Sequence, residues 1–168
     1  MSFLPISSLN LNYYEILINA TTISAVDSTV ILHSGSGNST KVSLSGNSIV
    51  LQPNSDYFIY TSININTAAT LGSTSTTTYP TIKRLAFYNV TNSVWLPQKA
   101  LIPNQANSGT AGFAHQNVVE TQSFCLIPSS ASVRNIQLRT KTGTGTTVIY
   151  KDEATYNMPN STIMIYHN

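Results

Sequence analysis

Charge is what this sequence has least of. Lys, Arg, Asp and Glu make up 8% of its 168 residues, against about a quarter in an average globular chain. The basic residues, Lys41, Lys83, Arg84, Lys99, Arg134, Arg139, Lys141 and Lys151, are scattered. They form no cluster able to track a phosphate backbone, so nucleic acid is not an expected partner. Cysteine is nearly missing too. Cys125 stands alone, which excludes an intrachain disulfide and a Cys-based zinc cluster and leaves a small buried hydrophobe as its expected role. No run approaches the roughly 18 apolar residues that a membrane-spanning helix requires, so membrane insertion is not expected. The opening MSFLPIS lacks the basic and long apolar regions of a secretory signal, and export by that route is not expected either.

Small polar residues occupy the places that charge leaves open. The chain holds 22 Ser, 22 Thr and 17 Asn, with 9 Tyr besides. This composition favours strands and turns and argues against a helical bundle. The length suits one domain with a real core. Four N-x-S/T sequons fall at Asn19, Asn38, Asn89 and Asn160; a chain this rich in Asn, Ser and Thr supplies about four by chance, so they carry no evidence of glycosylation.

The apolar pattern is that of an all-β sandwich or barrel, with short segments separated by turn residues. Residues 1–20 read as an N-terminal arm or first strand and 21–168 as the main domain. Phe3, Leu4, Ile6, Leu9 and Leu11 make the arm too apolar to stay solvated, so it must be covered by something. Ser28 to His33 reads as a strand running into a turn at Ser34 to Asn38. Lys41 to Leu44 and Ile49 to Leu51 flank a turn at Ser45 to Asn47. From Asp56 to Ile65, Tyr57, Ile59, Thr61, Ile63 and Ile65 share one face, the period-2 signature of a half-buried strand. Thr81 to Val90 is another strand, with Leu85 and Phe87 inward. In Val118 to Ile127 the alternation predicts Phe124 and Leu126 inward, and in Val133 to Arg139 it predicts Ile136 and Leu138 inward. A turn at Gly143 to Gly145, then Thr146 to Tyr150 and Thr162 to Tyr166, complete eight to ten strands. Residues 67–80 and 104–112, uncharged and aperiodic, read as loops.

Groups for chemistry are few. His33, His115 and His167 occur in no metal-ligand spacing, and no metal site or cofactor is expected. Asp152 and Glu153 are the one adjacent carboxylate pair, and neighbours on a strand point to opposite faces. No nucleophile elbow or phosphate-binding glycine loop is present. Cys125 sits in the apolar run Phe124 to Ile127, where burial suppresses thiol reactivity. The expectation is a protein that is not an enzyme, with no catalytic residues.

A surface of Thr, Ser, Asn and Tyr has two readings. It is either a subunit interface, where low charge avoids the cost of burying ions, or a carbohydrate-binding face with aromatic side chains stacking on sugars. Charge depletion along the whole chain favours the interface. The loops and their neighbours supply Tyr79, Trp95 and Phe113 as candidate ligand-facing residues if the carbohydrate reading holds. If it does not, Trp95 is expected in the core.

Three stretches resemble known proteins. Leu51-Gln-Pro-Asn-Ser-Asp-Tyr57 is similar to the leucine-x-proline-x-x-x-tyrosine lead into a central strand of tumour-necrosis-factor-like and complement-globular-head-like jelly rolls. Lys83-Arg-Leu-Ala-Phe-Tyr-Asn-Val-Thr-Asn-Ser93 resembles a strand and turn of small tailed-phage surface proteins of that fold. Val119-Glu-Thr-Gln-Ser-Phe124, then Val133-Arg-Asn-Ile-Gln-Leu-Arg139 and a terminal apolar strand, follow in the order those proteins use. The resemblance spans residues 22–167. It implies a jelly-roll sandwich that forms a homotrimer about a threefold axis on a virion, as a head fibre, capsid decoration (cement) protein or fibre tip. No catalytic residues come with it. With only the 1–20 arm before the first strand, it points to a short decoration protein on the capsid surface, its arm (Phe3, Leu4, Ile6, Leu9, Leu11) touching the major capsid protein or a neighbouring subunit. A fibre tip that binds a host surface glycan or receptor is the alternative.

Overall fold

The structure is a computed structural model and describes residues 12–19, 21–23, 27–66, 84–96, 118–142, 147–150 and 160–168. Among these residues the chain forms twelve strands and no helix: β1 (Asn12–Ile18), β2 (Thr21–Ile23), β3 (Leu32–Gly37), β4 (Val42–Ser45), β5 (Ser48–Leu51), β6 (Tyr57–Asn66), β7 (Arg84–Asn89), β8 (Val94–Trp95), β9 (Val118–Ile127), β10 (Arg134–Thr142), β11 (Thr147–Tyr150) and β12 (Thr162–His167). Two of them, β2 and β8, are of only three and two residues; the other ten correspond to the upper end of the expected count.

The strands pair antiparallel in two sheets, a tumour-necrosis-factor-like jelly-roll sandwich. The larger sheet has seven strands in the order β2-β11-β6-β12-β1-β3, with β9 on the free side of β6; the smaller has five in the order β4-β5-β10-β7-β8. Strand β6 is the spine of the larger sheet. Along one side it pairs with β9 over its full length; on the other, Tyr57 to Ser62 pair with β12 and Asn64 to Asn66 with β11. Its alternation explains this position, since Tyr57, Ile59, Thr61 and Ile63 are all fully buried against the smaller sheet. Facing them are Ile49 and Leu51 from β5, Leu85 and Phe87 from β7, and Ile136 and Leu138 from β10. Each such side chain contributes about 1.5 to 3 kcal/mol on leaving water.

The stretch before β6 is fixed by its polar atoms. The Tyr57 hydroxyl donates to the Gln52 carbonyl at 2.6 Å, and Asp56 Oδ1 accepts from the Ser129 amide at 2.7 Å. The Asn54 amide, on a left-handed backbone (φ 61°), donates to the Ser130 carbonyl. The Leu51-x-Pro53 lead is therefore tied to the turn between β9 and β10.

One expectation changes here. Residues 34–37 are not a turn but most of β3, paired with β1 so that Tyr14 faces Gly37 and Ile16 faces Gly35. The glycines serve close approach: a Cβ at Gly35 would overlap the Tyr14 ring, and one at Gly37 would lie 2.2 Å from the Tyr13 carbonyl oxygen. Gly37→Ala is expected to cost about 2 kcal/mol or more, read as a lowered urea midpoint. The stretch 12–18, within the segment read above as arm or first strand, is β1, an inner strand of the larger sheet with Ile16 and Ile18 fully buried. Residues 1–11, with Phe3, Leu4, Ile6, Leu9 and Leu11, lie outside the described residues.

One residue breaks the apolar lining. Arg134 shares the inward phase of Ile136 and Leu138 and is 7% exposed, and its Nε and Nη2 have no hydrogen-bond partner among the described residues. Two unpaired guanidinium nitrogens in the interior are costly, whereas an apolar side chain of similar length there is not. Arg134→Met is expected to raise stability by about 1 to 3 kcal/mol, with a higher melting temperature as the readout.

Candidate functional site

The outer face of the larger sheet carries the least expected side chains. Register places Tyr13, Tyr166, Phe58 and Leu126 in one row across β1, β12, β6 and β9, and Glu15, Met164, Tyr60 and Phe124 in the next. Phe124 is 67% exposed, Leu126 65%, Phe58 42% and Tyr13 40%. The rings touch one another: Phe58 and Phe124 stack with centroids 6.2 Å apart, and Phe58 and Tyr166 lie 6.4 Å apart. Glu15 is the one ionisable carboxylate in the two rows.

This overturns the expectation that Phe124 and Leu126 point inward. The alternation in β9 is real, but its phase is the opposite one. Ser123, Cys125 and Ile127 are buried, with Cys125 opposite Ile59 and Ile127 opposite Tyr57. Near its end the strand is apolar on both faces, and the larger side chains lie on the outer one. Burial pushes the Cys125 thiol pKa up, which holds it protonated and poorly nucleophilic.

A second feature lies on the outer surface of the smaller sheet. Trp95 sits on the two-residue edge strand β8, directly opposite Tyr88. It is half-buried rather than part of the core, because the inward positions of β7 are filled by Leu85 and Phe87. Tyr88 and Trp95 meet edge to face, with centroids 5.0 Å apart. The Arg139 guanidinium lies 4.4 Å from the Tyr88 ring centroid, and Lys141 Nζ lies 5.5 Å from that of Trp95. Arg139 also donates through Nε and Nη2 to Gln137 Oε1, and Gln137 Nε2 donates to Ser48 Oγ at 2.8 Å. An open cleft of about 520 Å³ is lined by Asp27, Tyr88, Ser93, Val94, Trp95 and Arg139. Asp27 (φ 62°) and Ser93 (φ 55°) both hold left-handed backbone conformations, which are uncommon for residues other than glycine and recur at ligand sites.

Of the sequence-derived ligand-facing residues, Trp95 alone lies within the described part; Tyr79, Phe113 and His115 lie outside it, as does the turn at Gly143 to Gly145. The sequence reading missed Tyr88 and Arg139, although their registry with Trp95 follows once β7 and β10 are paired. His33 is exposed. The buried His167 is satisfied within the fold, Nε2 lying 2.6 Å from Ser39 Oγ and Nδ1 2.9 Å from the Asn168 carbonyl oxygen. Among the described residues no three His, Cys, Asp or Glu side chains come together as metal ligands.

No protein-family model and no curated protein sequence matches this chain. Solved structures do resemble it. Two crystal structures of murine APRIL align over 95% of this chain and 100% of theirs, with TM-scores of 0.52 and 0.53 and 7% identity. At that identity the likeness concerns the fold alone, and it agrees with the jelly-roll architecture read from the strand pairing.

Proposed function

We propose that the chain is a non-enzymatic structural protein that assembles as a homotrimer through the outer face of its larger sheet. We further assign it to a virion surface, as a capsid decoration or head-fibre protein held on the major capsid protein. The observation that carries the assembly is the row of Tyr13, Tyr166, Phe58 and Leu126 with Phe124 beside it. A contiguous aromatic and apolar patch with a single carboxylate is costly to leave in water and has the composition of an interface core. A second copy of the same chain is the occupant, in keeping with the threefold assembly that the resemblance implies. The virion assignment is supported by the likeness of Lys83 to Ser93 to tailed-phage surface proteins and by the low surface charge.

Light scattering of the purified chain tests the assembly: a mass three times the 18.2 kDa of one chain is expected, and a folded monomer at micromolar concentration overturns it. The virion role is tested separately by deleting residues 1–11. The sandwich is expected to remain folded while occupancy on the particle falls, and unchanged occupancy removes the arm from the attachment. A carbohydrate- or receptor-binding module is the second reading, and one observation favours it: Trp95 lies at the surface beside a cleft.

A further inference from the structure

We propose that the cleft between β7, β8 and β10 binds an acidic saccharide, a sugar bearing a carboxylate or sulfate. The inference rests on the carbohydrate-binding reading of Trp95 and is independent of how the larger sheet assembles. Both cations beside the cleft are held by neutral groups. Arg139 lies over Tyr88 and Lys141 over Trp95, and a ring face attracts a cation without cancelling its charge. Gln137, the other partner of Arg139, is neutral as well. Two positive charges on β10 are therefore positioned on one face of the smaller sheet by neutral partners, and among the described residues neither forms an ion pair with a carboxylate. An anionic group on a ligand is the natural complement.

The rest of the lining excludes a bare anion as the preferred ligand. Trp95, Tyr88 and the exposed Val94 form an apolar wall on one side. A phosphate or sulfate ion gains nothing from it, whereas the C–H face of a pyranose does. Asp27 and Ser93 lie in the same cleft and add a carboxylate and a hydroxyl to accept from or donate to sugar hydroxyls. Asp27 also disfavours a ligand carrying negative charge over its whole length, as a polyphosphate does. The space, about 520 Å³, falls within the range of about 300 to 1,000 Å³ typical of small-molecule sites. A ring-shaped body, several hydroxyls and one anionic group together describe an acidic sugar.

Trp95 is the only tryptophan of the chain, so its fluorescence reports on the cleft directly. The native protein would be titrated with sialyllactose, with a sulfated uronate disaccharide, with lactose and with inorganic sulfate. A saturable change in emission is expected with at least one of the two acidic sugars, and at least tenfold weaker binding of lactose and of sulfate. The affinity for the acidic sugar should fall as salt rises and should drop at least tenfold in Arg139→Gln. Lys141→Gln, at an exposed position, provides a second variant in which folding is not in question, and a severalfold loss is expected there. If lactose binds as tightly as the acidic sugars, the site is a sugar site but the acidic assignment is wrong. If sulfate alone matches them, the cleft is a simple anion site and the sugar reading falls. No saturable response to any probe at millimolar concentration overturns both.

Discussion

Phe124→Asp is expected to convert the proposed trimer to monomers while leaving each monomer folded. In the isolated chain Phe124 is two-thirds exposed, and substitutions at exposed positions usually change stability by no more than about 0.5 kcal/mol. In the proposed assembly the same side chain is part of the apolar patch, stacked on Phe58, where losing an aromatic anchor costs about 2 to 4 kcal/mol and burying a charge adds to that. The association constant should therefore fall by about a hundredfold or more. The Tyr13, Phe58 and Leu126 neighbours make Leu126→Asp an equivalent test. Val133→Asp is the control: it is about as exposed as Tyr13 but precedes β10 of the smaller sheet, and it should leave the mass in solution unchanged. A trimer of Phe124→Asp that persists at about micromolar concentration, the range in which a hundredfold loss is visible, would remove this face from the interface.

The second large effect is expected at Phe87, and it is best read against Trp95. Phe87 is fully buried in the smaller sheet opposite Leu138, and its carbonyl accepts from the Leu96 amide at 2.9 Å. Phe87→Ala leaves a cavity in a close-packed interior and should cost about 3 to 5 kcal/mol. Trp95→Ala, by contrast, gives up an edge-to-face contact with Tyr88 and a cation over its ring at the surface, together about 1 to 2 kcal/mol. Had Trp95 been part of the core, the two substitutions would have cost the same. Chemical denaturation of both variants at equal protein concentration separates the cases: equal losses would put Trp95 in the core after all.

Where the sequence was legible, one face of a strand was decisively apolar and the other was not. Strand β6 shows this best, with Tyr57, Ile59 and Ile63 inward and polar residues at Ser62 and Asn64 on the other phase; Leu85 and Phe87, and Ile136 and Leu138, follow the same rule. Strand β9 shows why the rule fails. Near its end both faces are apolar, Phe124 and Leu126 on one and Cys125 and Ile127 on the other, and placing the larger side chains inside picks the wrong phase. Residues 34–37 were misread for a different reason. Glycine and serine there have turn propensity, but β3 uses their small size to let β1 and the Tyr14 ring approach, a tertiary demand that local composition does not encode. For the cleft, Trp95 was visible in the sequence, whereas Tyr88 joins it through the pairing of β7 with β8 and Arg139, far along the chain, through that of β7 with β10.

The place of β12 in the larger sheet also sets an order in time. It runs between β6 and β1, and its Tyr166 pairs with Tyr13, so a central strand is made after nearly all the others. As the chain leaves the ribosome, β1 can pair with β3, and β6 with β9 and β11, before β12 is made, but no strand then pairs β6 to β1. Until Thr162 to His167 emerges, Ile16 and Ile59 border open strand edges, the state most exposed to pairing with a wrong chain. Such distant closure places folding among the slow, high-contact-order topologies. It also means that a chain truncated before Thr162 does not lose a dispensable edge but the strand that pairs the two halves of the larger sheet.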